Sequence, residues 1–490
     1  MSNLSELLPT GGGQNAVDFV ASGTLSSGQT VVLKADGTVE AVAETSISRS
    51  IGSSTAVDSV RSLYLSGVSI GDSKIVIQAK NLSSGGSIVV VGSISGTSIS
   101  FGSQLVYRSD SSTNRISGLA YDSINNILTL AHPTGTNLIG YSFSISGTTL
   151  TSLGSASLRT GWSFQTDVVE GFFNPQTGSS YFLYSGSSGL YWSKATYSGG
   201  STSWSSGTLN TTNPWKFSGG ISYDPVVEQV LINCSLSSND SGYALIGYFN
   251  SSGSLIYNSG YQYSSGGLNA GGTHETSACH IPNTNSHIFT WRGSASLSDY
   301  AYAQIIEWDG STIDVSNTRY TLASSQITQS SISWNAAANK AYALVTYSSG
   351  SNHGIEMTVS GSAITVDAND TVNSATANQY GLFSVYDDTA KVNVVGYLAN
   401  SSNIYRTANV IRLAYNETNN TDFIGITAEA ISDTATGAVN VYGGINEAQT
   451  GLTIGSDYYV QDDGSLSTTA SSVKVGQAIS ATTINMMDLT

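Results

Sequence analysis

Four aromatic residues are the side chains best suited to contact a ligand. Trp204, Trp215, Tyr261 and Tyr263 belong to or border segments of variable length in neighbouring repeats. Flat, amphipathic rings of this kind can stack on sugar rings, but they also pack β-sheets against each other. The sequence therefore offers these four as candidate glycan-binding residues, with packing between repeats as the alternative.

The carboxylates do not form an enzymatic pattern. Glycoside hydrolysis needs two carboxylates about 5–10 Å apart around one bond, whereas residues such as Asp224 and Asp387 fall in short turns, where Asp is common for conformational reasons. The stretch that starts at Ser238 approaches the S-x-D-x-G-x-x-W box of sialidases, but Leu245 occupies the Trp position. Without a phosphate-binding loop, dinucleotide fingerprint or nucleophile elbow, we expect no catalytic activity and no cofactor.

The sequence contains only weak indications of a metal site or a disulfide. The acidic groups at 367–370 and 462–463 could hold calcium, but neither has EF-hand spacing, so no metal is predicted. Cys234 and Cys279 lack the spacing of a zinc site. We expect both to be small buried apolar side chains, with a disulfide between neighbouring repeats as the alternative.

Composition excludes two classes of partner. Lys and Arg total 17 against 33 Asp and Glu, which gives a formal net charge of −16 and argues against binding to nucleic acid. No stretch approaches the roughly 18 consecutive apolar residues of a membrane-spanning helix, so no membrane insertion is expected. Only 10% of the residues are charged, and Gly, Ser and Thr are abundant. This mixture suits many short strands joined by tight turns.

Internal repetition is the strongest signal, with a period of about 50 residues. Each copy has an apolar run, a turn containing Asp or Asn and a β-branched run, followed by a third and a fourth strand, and we label these four strands A to D. Seven copies are recognised, starting at Ser62, Gly118, Gly171, Gly220, Ala278, Ile332 and Leu382. A four-stranded repeat of this length is typical of a β-propeller blade, although a β-helix or a low-complexity tract remains an alternative.

The seventh repeat lacks a fourth strand, and a stretch near the N-terminus could supply it. Residues 39–52 precede the first A strand at the spacing that D strands show elsewhere, and pairing there would remove the open edges of a linear array. The sequence thus predicts an all-β protein: an N-terminal arm at 1–38, a seven-bladed propeller at 39–418 and a C-terminal β module at 419–490. The D–A and B–C connections vary in length, so we expect recognition on the face that carries them.

The two ends of the chain carry a family resemblance. The C-terminal stretch has an FIGI start at Phe423, a GL-x-x-G-x-x-YY-x-x-DG centre and a VKVGQAIS end, and it resembles a module common in phage virion proteins. The segment from Ser5 resembles N-terminal segments of tail-fibre-like and other virion proteins, particularly of phages infecting marine bacteria and cyanobacteria. Both ends contain a strand, an Asp-Gly turn and a strand, so we expect them to form one module.

This resemblance implies a structural protein on the surface of a tailed-phage particle, in the tail or capsid. The leading hypothesis is a non-enzymatic appendage whose propeller contacts host-surface glycan, while the terminal module binds other virion proteins. The alternatives are a capsid or tail decoration protein without receptor contact and a propeller glycosidase. Because phage appendages are commonly homo-oligomeric, we expect a homo-oligomer.

Overall fold

A computed structural model describes most of the chain, and the chain divides into two compact units. The described residues are 15–81, 85–109, 116–161, 168–186, 188–211, 215–217, 219–236, 241–264, 276–293, 299–308, 313–315, 319–374, 381–399 and 405–487. One unit is Arg49–Leu413, here called the ring unit. The other combines Met1–Ser48 with Ala414–Thr490 and is called the terminal unit.

Strands dominate the described residues, with one 3-10 turn at Asn420–Asp422. In chain order the strands are β1 (Ala16–Val20), β2 (Thr30–Leu33), β3 (Val39–Ala41), β4 (Glu44–Ile47), β5 (Ser50–Ile51), β6 (Thr55–Gly71), β7 (Lys74–Asn81), β8 (Ser87–Ser95), β9 (Ser98–Phe101), β10 (Leu105–Arg108), β11 (Gly118–Asp122), β12 (Ile127–Thr134), β13 (Asn137–Ser146), β14 (Thr149–Arg159), β15 (Glu170–Asn174), β16 (Ser179–Gly186), β17 (Gly189–Ser198), β18 (Ser201–Asn210), β19 (Trp215–Lys216), β20 (Ile221–Asp224), β21 (Gln229–Leu236), β22 (Gly242–Phe249), β23 (Leu255–Ser264), β24 (Thr276–Ile281), β25 (Ser286–Arg292), β26 (Ala301–Trp308), β27 (Ile313–Val315), β28 (Tyr320–Ala323), β29 (Ile327–Asn335), β30 (Lys340–Tyr347), β31 (Asn352–Ser360), β32 (Ala363–Asn373), β33 (Phe383–Asp387), β34 (Val392–Ala399), β35 (Tyr405–Arg412), β36 (Tyr415–Thr418), β37 (Phe423–Thr427), β38 (Thr436–Val441), β39 (Ile445–Asn446), β40 (Asp457–Val460), β41 (Leu466–Ser467), β42 (Val473–Ala478) and β43 (Ile484–Met486). No helix in the described part of the chain is long and apolar enough to cross a membrane.

The ring unit consists of antiparallel sheets in which neighbouring strands follow each other in the chain. Typical sheets have the orders β11-β12-β13-β14, β15-β16-β17-β18 and β29-β30-β31-β32. The A strands of successive repeats contact one another, and these contacts run from β6 through β11, β15, β20, β24 and β29 to β33 and back to β6. Sheets arranged radially around their first strands form a β-propeller, so the predicted all-β propeller class is confirmed.

Burial within a sheet follows the position of the strand. The second strands β12 and β16 are buried along their whole length, and their sequences are rich in aliphatic and aromatic residues. The outermost strand β14 is mostly exposed and consists largely of Ser, Thr and Gly. A central strand packs on both faces while an outer strand faces water, so this composition specifies where each strand lies.

One long strand joins the last sheet to the first. The N-terminal part of β6 pairs with β35, with Thr55 opposite Ala408 and Ala56 opposite Thr407, and its C-terminal part pairs with β7. The change of partner coincides with a shift of register between Leu63 and Ser66. Tyr64 lies inside this shift and has a φ of 59°, a left-handed conformation that is unusual for a bulky residue. The chain therefore bends here as it moves from one sheet to the other.

The strand predicted at 39–52 only partly occupies the closing position. Ser50–Ile51 pairs with β35, and the Gly52 N–H donates to the Val410 carbonyl at 2.8 Å, but β3 pairs with β2 in the terminal unit instead. An Asp-Gly turn with Gly37 at φ 84° folds β3 back onto β2. The unit boundaries accordingly lie at 48/49 and 413/414, not at 38/39 and 418/419.

Five of the A–B turns share one hydrogen-bonding arrangement. A side-chain oxygen of the residue that ends the A strand accepts N–H groups two or three residues later, and the residues concerned are Asp122, Asn174, Asp224, Asn335 and Asp387. Each of these turns ends on a left-handed residue: Asn126, Gly178, Glu228, Asn339 or Lys391. The Asp- and Asn-containing turns seen in the sequence are thus built as side-chain-closed turns.

Replacing Asp387 by Ala should therefore destabilise the ring unit by about 1–3 kcal/mol, because the Ala390 N–H and the Ser69 hydroxyl would lose their acceptor at a buried site. Asp387→Asn is the matched control and should cost less than half as much, since Asn already performs this role at Asn174 and Asn335. Urea unfolding of the three proteins measures the difference. An equal loss of unfolding free energy in both variants would show that the charge of Asp387, and not its closure of the turn, stabilises the ring unit.

Strands from both ends of the chain share one sheet in the terminal unit. One sheet has the order β1-β38-β37-β2-β3, so β2 lies beside β37 and β1 pairs with β38. A second sheet has the order β39-β43-β42-β40-β41, and β4 pairs with β36. The core combines Val32 and Val42 from the N-terminal segment with Phe423, Ile426 and Val475 from the C-terminal one.

Candidate functional site

Two of the four predicted ligand-binding aromatic residues are packing residues. Trp215 is only 3% exposed and meets Tyr243 edge-on, with ring centroids 5.0 Å apart. Tyr263 packs against Phe289 and Trp291, at centroid distances of 4.8 and 5.7 Å, and its hydroxyl is buried. Burial raises the pKa of the Tyr263 hydroxyl well above its ordinary value. Both rings are therefore engaged in packing.

The other two aromatic residues lie on outer strands. Trp204 on β18 lies against Phe182 and covers Gly140 of the neighbouring sheet, where an added Cβ would approach the indole to 2.7 Å. Tyr261 on β23 is 39% exposed, opposite Ala244. Of the four predicted side chains, therefore, Tyr261 alone offers an open ring, and the structure does not bring the four together into one platform. Packing between sheets, the alternative reading, describes the other three.

Most of the long variable loops expected to carry recognition, including those at 212–214, 265–275 and 294–298, lie outside the described residues. Among the described residues, two carboxylates of the 367–370 group considered for calcium binding already form ion pairs. Asp367 pairs with Lys340 at 3.0 Å, while Asp370 pairs with Arg49. These ion pairs neutralise the charges that a calcium ion would require.

The ion pairs form a network around one buried carboxylate. The Glu356 side chain is 4% exposed and accepts hydrogen bonds from Arg49 Nε at 2.8 Å and from Lys340 Nζ at 2.6 Å. Arg49 is the first residue of the ring unit, so this network holds the start of that unit against β31. Cys234 and Cys279, for which a disulfide was the alternative, are both free thiols.

Two hydrogen-bonded pairs that are not evident from sequence spacing lie side by side, with the His280 and His287 ring centroids 5.3 Å apart. The Ser222 hydroxyl lies 2.7 Å from His287 Nδ1, and His280 Nε2 lies 3.2 Å from Asp224 Oδ2. Burial and the neighbouring His280 lower the pKa of His287 to about 3, so its imidazole is neutral at physiological pH. Ser222 and His287 are 3% and 1% exposed, which keeps a substrate away from the hydroxyl. The two pairs are therefore structural contacts that join β20 to β25 and to β24.

The centre of the ring contains a cavity of about 260 Å³ that is lined by A strands. Its wall carries serine hydroxyls, apolar side chains and one carboxyl group, that of Glu170. Glu170 Oε2 accepts hydrogen bonds from the Gly220 and Ile221 N–H groups, both at 2.9 Å. Burial nevertheless raises the pKa of the Glu170 carboxyl from 4.5 to about 7. The cavity thus holds a group that titrates near neutrality.

Glu170 replaces a serine that links neighbouring A strands elsewhere in the ring. Ser277 accepts the Ile332 N–H at 3.1 Å, and Ser331 accepts the Ser384 N–H at 2.9 Å. Glu170, like these serines, stands four residues before the end of its strand. Nothing in the local sequence marks Glu170 as different, because its role depends on the strand of the next sheet.

We expect Glu170→Gln to reduce the loss of stability between acidic and neutral pH. The folded pKa is raised, so the stabilising contribution of the protonated form is complete below pH 4.5 and is lost as the pH rises to about 7. The difference in unfolding free energy between variant and wild type should therefore grow by about 3 kcal/mol at most across this window. Thermal unfolding from pH 4 to 8 tests this, with Asp388→Asn, an exposed carboxylate, as the control. Parallel curves for wild type and Glu170→Gln would contradict the prediction.

Comparison with known proteins identifies no family. No family model and no curated protein sequence matches this chain. Among solved structures, the Dos1 propeller is similar with a TM-score of 0.42 and 10% identity, covering 74% of this chain and 95% of that one. AofleA from Arthrobotrys oligospora has a TM-score of 0.41 and 9% identity, covering 66% and 88%. At such low identity, the similarities concern the fold alone.

Proposed function

We propose that this protein is a non-enzymatic structural component on the surface of a tailed-phage particle. In this proposal the ring unit is a seven-bladed propeller displayed for attachment to host-surface glycan. The terminal unit is a small β module that binds other virion proteins, and the protein acts as a homo-oligomer. The resemblance of both chain ends to virion proteins is the starting point.

The observation that carries the proposal is that strands from both chain ends form one sheet in the terminal unit. Segments that resemble virion modules at opposite ends of the chain meet in one sheet, where β2 pairs with β37 and β1 with β38. A unit completed by both ends leaves the intervening chain, Arg49–Leu413, as a continuous insertion. This architecture suits a mount that accepts different displayed domains, because the inserted domain can change without altering the sheet that holds it.

The hydrogen bonds of the turn carboxylates support a binding role over a glycosidase role. Asp224 and Asp387, which are among the acidic residues a glycosidase could use, accept backbone N–H groups of their own turns. Both are nearly inaccessible, with exposures of 1% and 0%. A carboxylate committed in this way cannot approach a glycosidic bond.

Locating the protein on intact particles tests the proposal. Purified phage would be analysed by mass spectrometry and by immunogold electron microscopy with antibodies raised against residues 49–413. Label at the tail tip supports host attachment. Label in an icosahedral array would replace attachment by capsid decoration, the second candidate from the sequence. Absence of the protein from purified particles would overturn the virion proposal altogether.

A further inference from the structure

A second cavity of about 270 Å³ lies between two neighbouring sheets of the ring unit, at their A–B and C–D turns. The turn between β24 and β25 forms one wall, and the β29–β30 and β31–β32 turns form the other. Residues from three different turns therefore converge on one space. The volume is just below the range of about 300–1,000 Å³ that is typical of ligand pockets, so it suits a ligand of one ring.

Two nearly buried polar groups in this wall have unused hydrogen-bonding capacity. Ser286 is 8% exposed and Trp334 is 7% exposed. Among the described residues, neither the Ser286 hydroxyl nor the Trp334 indole N–H has a hydrogen-bond partner. Neither of these two atoms is among the buried, unpaired polar atoms of the described residues, so both are accessible to solvent. A donor and a hydroxyl that are open in the same cavity can pair with polar groups of a bound molecule.

Two asparagines add amide groups at the rim. Asn283 and Asn339 are exposed turn residues with left-handed φ values of 63° and 53°. Within the part of the chain that the structure describes, their side-chain amides make no hydrogen bonds. Each amide provides both donors and an acceptor. Together with Ser286 and Trp334, they can contact polar groups that project from a ligand in several directions.

The rest of the lining is apolar and uncharged. Pro282, Val359 and the Trp334 ring supply apolar surface, and none of the described residues that line the cavity is charged. Anionic ligands lack a cationic partner here, and the protein as a whole is strongly acidic, with a net charge of −16. The ligand that fits is neutral, has an apolar face and carries several hydroxyl groups around a ring. Sugar rings combine these properties, with C–H groups that lie against aromatic rings.

We propose that this cavity binds a single neutral sugar unit of a glycan. The inference rests on the proposed function in one respect, since it names where the displayed ring unit would bind host glycan. The site lies at the A–B and C–D turns and not at the variable connections favoured by the sequence. Its polar groups come from two segments about 50 residues apart, so no local sequence motif marks the site.

Binding of methyl glycosides to the purified full-length protein tests the proposal. The probes are methyl glycosides of neutral hexoses, deoxyhexoses and N-acetylhexosamines, measured by saturation-transfer difference NMR. The key variant is Asn283→Gly with Asn339→Gly, which removes both amides and keeps the left-handed backbone that Gly adopts freely. Lys391→Gly makes the same change at the same turn position as Asn339 in another sheet and is the matched control.

We expect at least one glycoside to bind wild type and the Lys391→Gly control alike, and to bind the double variant about tenfold more weakly, as the loss of two hydrogen bonds implies. Acidic sugars should not bind. Retained binding in a correctly folded double variant would overturn the site, as would loss of binding on Tyr261→Ala alone. Failure of every probe up to about 50 mM, far above the millimolar range of weak ligands, would also overturn it. None of these outcomes depends on where the protein lies on a particle, so this test fails separately from the virion test.

Discussion

Removing residues 1–43 from the full chain should unfold the C-terminal part of the terminal unit and leave the ring unit folded. The deletion takes away β2, which lies between β37 and β3, together with Val31, Val32 and Val39, which are at most 2% exposed. Burying each such side chain contributes about 1.5–3 kcal/mol. The combined loss, with the backbone pairing, is comparable to the whole stability of a small unit, about 5–15 kcal/mol.

Hydrogen exchange with peptide resolution measures this directly. Peptides from 423–486 should exchange within seconds in the truncated protein, whereas those from the buried strands β12 and β16 should keep their protection. Deletion of residues 1–14 alone is the control, because it ends before β1. If the 423–486 peptides stay protected after the larger deletion, the C-terminal segment folds without its N-terminal partners, and the idea of a shared module is wrong.

A disulfide across the closing strand should stabilise the ring unit strongly. Ala56 and Thr407 are directly opposite each other on β6 and β35, and cysteines at these two positions would close a very long loop. The chain-entropy treatment gives about 5 kcal/mol for a loop of several hundred residues, which is an upper limit because strain reduces it. The oxidised double-cysteine variant should therefore melt at a clearly higher temperature than the same protein after reduction.

The control places two cysteines at Thr358 and Thr365, which are paired across the short β31–β32 hairpin. Its loop is far shorter, so oxidation should stabilise this protein by roughly half as much. The two native cysteines are free and are present in both proteins, so their effect cancels. Equal melting temperatures for the oxidised and reduced Ala56–Thr407 variant, with the disulfide verified by mass spectrometry, would mean that opening at this strand does not govern unfolding.

The sequence alone determined the fold class and the local turns. Repeated runs of β-branched and aromatic residues predict strands, and the Asp or Asn residues between them predict turns closed by a side chain. Both features depend on interactions that reach over only a few residues. Asp122 and Asn335 show this directly, since each accepts N–H groups only two or three positions away. The number of blades and the virion role remain predictions.

The tertiary structure decided what individual side chains do, because those roles depend on residues of other sheets. Trp204 and Trp215 are of a residue type that can stack on sugar rings. In the structure, however, Trp204 covers Gly140 and Trp215 is buried. Likewise, residues 39–52 were expected to close the ring as one strand, but the Asp-Gly turn at Gly37 pairs its first part, β3, with β2, and only Ser50–Ile51 pairs with β35. Contacts between segments far apart in the chain are set by packing, which no single stretch of sequence encodes. For the same physical reason Ser286 and Trp334 line one cavity only after neighbouring sheets have come together.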